Sequence, residues 1–284
     1  SNFYNSLLSA TASMERIFEI MDTEPDIKDK EGAKPLPPIE GRVTFENVTF
    51  SYDREKTVLK NVSFDITPGN TIALVGPTGA GKTTIINLLM RFYDVDSGSV
   101  RIDGRDVRTM PDGELHSLFG VAMQNDFIVA DTIEENIRFG RNISNEEVMR
   151  AARIAQASDF IESFDGGYSY MLEAKGANLS GGQKQRILIA RAIAGKPDIL
   201  ILDDSSSALD YKTDAALRAA IKEELALTTT FIVAQRVSSL MNCEQIAVIE
   251  EGRIVAKGTH DELLANCPLY KEISDSQMGG ALLE

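Results

Sequence analysis

Cysteine is scarce in this chain of 284 residues: Cys243 and Cys267 are the only two. They lie far apart without metal-ligand spacing, which argues against a disulfide scaffold and fits a reducing cytosol. Histidine is equally rare, with His116 and His260 alone. No apolar run approaches the roughly 18 residues that span a bilayer, and no secretory signal opens the chain. Excess positive charge is also missing. The formal net charge of -14 argues against a nucleic-acid surface, which needs clustered Lys and Arg. There is no internal repeat or low-complexity tract. The opening residues, SNFYNSLLSA, lack an initiator methionine, as a piece of a longer protein would.

What is present is ordinary for a folded domain, with 43% hydrophobic and 25% charged residues. The length suits one large α/β domain or two small ones. Residues 5–21 carry apolar side chains at helical spacing (Leu8, Ala12, Ile17, Phe18, Met21), and a charged, proline-containing stretch follows as a linker. We expect residues 1–40 to be helix and linker, 41–270 the globular domain, and 271–284 a tail that forms a short helix and frays. RVTFENVTFSY and NVSFDI alternate as antiparallel strands do. TIALVG, SVRIDG, FGVAMQ, ILILDD, TTFIVAQ, IAVIEEG and RIVAKG then alternate in part with helical stretches, predicting a largely parallel sheet. Helical patterning takes over at about 126–178, where Ser144 and Glu147 have capping-box spacing.

GPTGAGKTT follows an apolar strand and precedes an apolar helix, the setting a phosphate loop requires. Its residues are Gly76, Pro77, Thr78, Gly79, Ala80, Gly81, Lys82, Thr83 and Thr84. The glycines let backbone N–H groups converge on phosphate oxygens at a helix N-terminus. Lys82 would reach the β and γ phosphates, and Thr83 would bind magnesium. Asp203 ends the apolar run ILILD, where a buried strand presents a carboxylate to a phosphate-bound magnesium, although an aspartate there also serves as a turn or helix cap.

LSGGQKQRILIARAIAG predicts a helix opened by Ser180 and Gln183 at capping-box spacing. Its glycine-rich end, Ser180 with Gly181 and Gly182, offers donors to an anion. An ordinary capped helix satisfies the same residues.

The order of phosphate loop, isolated glutamine (Gln124 in VAMQND), LSGGQ, Asp203 and SALD resembles the nucleotide-binding domain of ABC transporters, over about residues 42–264. The resemblance implies a P-loop NTPase core of RecA-like α/β type, with an antiparallel β-subdomain and an inserted helical subdomain. ATP and Mg2+ would be its ligands. It further implies two such domains face to face, with ATP between one phosphate loop and the other's LSGGQ. By position, Tyr52 is similar to the residue that stacks on adenine. Gln124 is similar to the glutamine that contacts metal and water and senses the membrane domain, and Asp210 to the residue that touches the opposite phosphate loop. Taken without the resemblance, Tyr52 reads as a strand-end core residue, Gln124 as a solvated loop residue and Asp210 as a helix N-cap. ASMERIFEIMDTEPDI resembles the junction after the last membrane helix of exporter-type members, which implies a transmembrane domain in the same polypeptide.

Two residues depart from the hydrolysing pattern. Asp204 stands where a glutamate general base is expected, and Gln235 where the switch histidine is expected. Aspartate withdraws the carboxylate by one methylene, and a glutamine neither carries charge nor exchanges a proton. Neither touches Lys82, Thr83, Asp203 or Tyr52. The expectation is a degenerate ATP site paired with an intact LSGGQ, as in one subunit of a heterodimeric exporter at the cytoplasmic face of a membrane. The alternatives are a slow homodimeric ATPase and an ATP-gated dimerisation module.

Overall fold

Ile199–Asp203 and Thr229–Val233 are buried at every position, as strands covered on both faces of a parallel sheet must be, and their mostly apolar make-up follows from it. In the computed structural model these two strands lie inside a six-stranded sheet. The structure describes residues 2–24, 27–28, 35–53, 55–123, 127–203, 208–233 and 237–281, with backbone alone at 2, 238 and 277–281.

In chain order the elements are α1 (Asn2–Met21), β1 (Val43–Ser51), β2 (Thr57–Ile66), β3 (Thr71–Val75), α2 (Lys82–Leu89), β4 (Ser97–Ile102), β5 (Arg105–Asp106), α3 (Asp112–Ser117) and β6 (Phe119–Ala122). Then follow α4 (Ile133–Arg138), α5 (Asn145–Ile154), α6 (Ser158–Ser163), α7 (Gly181–Ala194), β7 (Ile199–Asp203), α8 (Tyr211–Glu224) and β8 (Thr229–Val233). The chain closes with β9 (Gln245–Glu250), β10 (Arg253–Gly258), α9 (His260–Asn266) and α10 (Pro268–Ala281).

The larger sheet has the order β10-β9-β3-β8-β7-β6, parallel except for the β9–β10 hairpin. The smaller sheet, β2-β1-β4-β5, is antiparallel. SVRIDG, grouped above with the parallel strands, therefore belongs to the other sheet as β4. An apolar run records burial but not the direction of the neighbouring strand.

One apolar core joins the inner face of the antiparallel sheet to α2 and the β3, β7, β8 and β9 side chains of one face. A second packs α4–α8 against β6 and β7, and a third seats α9 and α10 on β3 and β9. Local chemistry sets the helix starts. Ser144, Ser180 and Thr259 each form a capping box with Glu147, Gln183 and Glu262. α10 runs to Ala281, longer than the short helix anticipated. α1 forms as expected, yet every described side chain on it is exposed, including Leu7, Leu8, Ile17 and Phe18. Among the described residues nothing covers its apolar side chains.

Candidate nucleotide-binding site

The parallel strands β3, β8 and β7 end at one edge of the sheet. Leu74 pairs with Val233, and Val233 with Asp203. The segment after β3 and the acid ending β7 are thus two inter-strand spacings apart, roughly 10 Å, with the end of β8 between them.

Residues 76–81 turn from β3 into α2 through three left-handed glycines: Gly76 at φ 154°, Gly79 at 80° and Gly81 at 109°. A Cβ on Gly76 would fall 2.0 Å from the Ile249 carbonyl oxygen, so only glycine permits this approach to β9. The loop is held from beneath, where Ala80 N–H donates to Pro77 O at 3.2 Å and Gly252 N–H to Ala80 O at 3.2 Å. Gly81 caps α2 without any side-chain hydrogen bond. The N-terminus of α2 follows the loop directly with the helix dipole behind it, a setting that favours an anion. Lys82 Nζ lies over the loop, donating to Gly76 O at 2.7 Å and Pro77 O at 2.9 Å. Pro77, Thr78, Gly79 and Thr83 are exposed, whereas Ala80 and Thr84 are buried. The arrangement presents cationic and N–H donors to a phosphate chain.

Asp203 is 8% exposed at the end of β7, a carboxylate held by the sheet rather than by a loop. Among the described residues no group of three His, Cys, Asp or Glu side chains could hold a metal. This chemistry fits Mg2+, which relies on one or two carboxylates, a hydroxyl and the phosphates themselves.

Tyr52, 48% exposed, follows β1 and stands in an aromatic cluster. Its ring meets Phe50 and Tyr93 edge-on, each at 4.9 Å between centroids. Its hydroxyl lies 3.1 Å from Thr84 Oγ1 and accepts from Asn87 Nδ2 at 3.3 Å. The ring is thus tethered to α2, the helix the phosphate loop opens.

The ABC transporter family matches residues 59–207, just over half of the chain. The chain belongs to the ABC transporter family. Human ATP-binding cassette sub-family B member 6 is 43% identical over 278 residues, which is 98% of this chain and 33% of that protein. The Bacillus subtilis (strain 168) uncharacterized ABC transporter ATP-binding protein YknU is 45% identical over 275 residues, 96% of this chain and 47% of its own. A solved structure of a bacterial Atm1-family ABC exporter with ATP bound overlays with a TM-score of 0.89 at 36% identity, covering 95% of this chain and 48% of that one. The chain spans about a third to a half of the length of these relatives. Its fold is the P-loop NTPase fold of an ABC nucleotide-binding domain. No helix among the described residues is long and apolar enough to cross a membrane.

In this ABC domain the LSGGQ segment opens α7. Ser180 Oγ accepts from Gln183 N–H at 3.2 Å, and Gln183 Oε1 accepts from Ser180 N–H at 2.9 Å. Ser180 is thus an ordinary N-cap whose hydroxyl proton is still available to a ligand. Gly181 and Gly182 let the start of α7 approach the segment after β7: a Cβ at 182 would lie 3.1 Å from Ala208 O. Asp210, close behind, caps α8, accepting from Thr213 N–H at 2.9 Å and Thr213 Oγ1 at 2.7 Å. The Thr213 N–H and hydroxyl hold its carboxyl below the usual range.

Three of the candidate residues, Gln124, Asp204 and Gln235, lie outside the described residues. Sequence reasoning passed over Tyr93 and Asn87, which position Tyr52, and Arg191. The buried Arg191 guanidinium donates to Phe127 O at 2.9 Å and Asn136 O at 2.8 Å and stacks over the Phe139 ring at 4.2 Å. It ties α7 to α4 and to the strand exit just beyond Gln124. Its only sequence signal was a cation within an apolar helix face, where a snorkelling side chain is the usual reading.

Proposed function

We propose that this chain is the cytosolic ATP-binding domain of an ABC exporter subunit, and that it closes face to face on a second nucleotide-binding domain with ATP between them. The observation that carries the reading is the phosphate loop: three left-handed glycines, Lys82 laid across the loop, and a helix N-terminus with no side-chain cap. These N–H groups and Lys82 would bind the β and γ phosphates, while Tyr52, braced by Tyr93, would stack on the base. Thr83, Asp203 and Gln124 would hold Mg2+, which supplies charge neutralisation between the β and γ phosphates when bound.

Ser180, Gly181, Gly182, Gln183 and Asp210 would meet the nucleotide and phosphate loop of the second domain. The proximity of the α7 start to Ala208 supports this, since Asp210 follows two residues later. The exposed apolar side chains of α1 support attachment to a transmembrane domain, which would hold the chain at the cytoplasmic face of a membrane. Cargo recognition belongs to that domain.

On this reading the chain's own site is degenerate. Asp204 sets its carboxylate back by a methylene, and a base misplaced by about 1 Å loses on the order of a hundredfold in rate. Gln235 donates a hydrogen bond to a phosphate oxygen without charge. Binding is retained, turnover falls, and a non-identical partner domain carries the competent site that this LSGGQ completes. Steady-state ATPase and Mg-ATP affinity of the chain test this, with Asp204→Glu plus Gln235→His for comparison. The expected result is equal affinity and turnover raised at least about tenfold in the double variant. Equal turnover would instead favour a slow homodimeric ATPase, and absent Mg-ATP binding would end the nucleotide reading itself.

A further inference from the structure

Asp214 is a buried acid that the nucleotide chemistry leaves unused. It sits one turn into α8, four residues beyond Asp210, and is 6% exposed. Its Oδ2 accepts from Arg218 Nε at 3.0 Å and from Ser239 Oγ at 2.9 Å. Its Oδ1 is buried and has no hydrogen-bond partner among the described residues.

Ser239 is 3% exposed and lies in a 3-10 turn, Val237–Ser239, four residues beyond Gln235. That turn is fastened to the core. Leu240 N–H donates to Val237 O at 2.8 Å, Cys243 Sγ–H to Ser239 O at 3.9 Å, and Val237, Leu240 and Cys243 sit in the apolar cluster beneath β3 and β9. Two stretches, one leading from Asp210 and one from Gln235, are therefore pinned together at a single carboxylate oxygen. A buried carboxylate with one oxygen lacking a partner among the described residues pays for desolvation without full compensation.

We propose that Asp214 is a positioning residue that carries the state of the segment after β8 to the segment that opens α8. The proposal rests on the reading above, in which Gln235 faces a phosphate and Asp210 faces the second domain. A shift of the Val237–Ser239 turn on nucleotide binding moves Ser239 Oγ. Asp214 follows, because the Ser239 bond ends on the oxygen that Arg218 also holds. The first turn of α8 follows in turn, through the Thr213 N–H bonded to Asp210. The bare Oδ1 lets the carboxylate rotate and exchange one oxygen for the other, so that the strut yields without parting.

The test is backbone amide exchange on this chain with and without Mg-ATP, in wild type and Ser239→Ala, beside Mg-ATP affinity and thermal melting. In wild type, Mg-ATP is expected to slow exchange at the Thr213 and Asp214 amides by about tenfold. Ser239→Ala, which touches no nucleotide-binding residue, is expected to bind with a Kd within about twofold of wild type and to lose the exchange response. Asp214→Asn, which still offers Ser239 an acceptor, is expected to keep about half or more of it. The proposal is overturned if Ser239→Ala keeps the full response, if Asp214→Asn loses it as completely as Ser239→Ala, or if wild type binds Mg-ATP without any response at α8. A Ser239→Ala effect on exchange of equal size with and without nucleotide would reduce the strut to a structural bond. Absence of Mg-ATP binding in wild type would remove the nucleotide reading and the strut together.

Discussion

Alanine at Gly76 measures how closely the phosphate loop is seated on the sheet. The new Cβ would sit 2.0 Å from Ile249 O and 3.0 Å from Ile249 C, and both atoms are backbone of β9. A contact so short forces β3 and β9 to part by about 1 Å, an overpacking cost of about 1–3 kcal/mol. The left-handed φ of 154° adds about 1–2 kcal/mol for a residue with a side chain. Together these make roughly 2–5 kcal/mol, or about 4–20 °C in Tm at 2–4 °C per kcal/mol for a chain of this size. Gly79→Ala is the control. Its φ of 80° carries the same backbone strain, but no heavy atom lies within 4 Å of the added Cβ, so about 1–2 kcal/mol and a smaller fall of about 2–8 °C are expected. Differential scanning fluorimetry gives the order and a fluorescent ATP analogue the affinity, which Gly76→Ala should abolish. A Gly76→Ala melt within about 2 °C of wild type, or one above that of Gly79→Ala, would refute the seating of the loop against Ile249.

Tyr52→Ala removes an aromatic face worth about 1–3 kcal/mol to a stacked base and should weaken Mg-ATP binding by roughly 5- to 150-fold, while Tyr52→Phe, which loses only the Thr84 and Asn87 bonds, should stay within a few-fold. Isothermal titration separates the two. Ser180→Ala removes the N-cap of α7 and should cost about 1 kcal/mol in denaturant titration, leaving this chain's own Mg-ATP affinity unchanged but reducing turnover of a reconstituted two-domain complex. Glu147 is held below the usual carboxylate range by Lys196 and by the Ser144 N–H, and Glu262 by the Thr259 N–H. Their ionised forms are favoured in the folded state, so their contribution is complete above the unfolded value of about 4.5 and disappears as pH falls through the depressed folded values. Tm followed from pH 6 to about 3 should therefore decline less steeply in a Glu147→Gln, Glu262→Gln double variant than in wild type.

What could be read from the sequence was local. The phosphate loop is contiguous, and its flanking strand and helix lie within ten residues on either side. The capping boxes at Ser144 and Ser180 are complete within four residues, and both formed. The N-cap reading of Asp210 was likewise self-contained. What was not legible depends on distant partners. The transfer of β4 to the antiparallel sheet is decided by β1, about fifty residues earlier. The support of Tyr52 by Tyr93 and Asn87 crosses more than thirty residues, and Arg191 reaches Phe127 across sixty-four. The periodicity of α1 announced an apolar face but not what would cover it, and among the described residues nothing does.

Strand order explains why binding and turnover should be separable here. β3, which opens into the phosphate loop, and β7, which ends in Asp203, are not neighbours, because β8 runs between them. Val233, at the end of β8, therefore lies between the end of β3, where the phosphate loop begins, and the acid of β7. A substitution at 235 or 204 changes the groups that follow these strand ends while leaving the pairings Leu74–Val233 and Asp203–Val233 intact, and with them the seat of the loop on β9. Alanine at 76 attacks that seat directly. Loss of affinity should therefore follow loss of stability among the loop glycine variants, whereas restoring Glu at 204 and His at 235 should raise turnover at constant affinity and constant Tm. If instead the double variant changed affinity and turnover in proportion, the two strand ends would be acting as one element, and the independence inferred from the intervening β8 would be wrong.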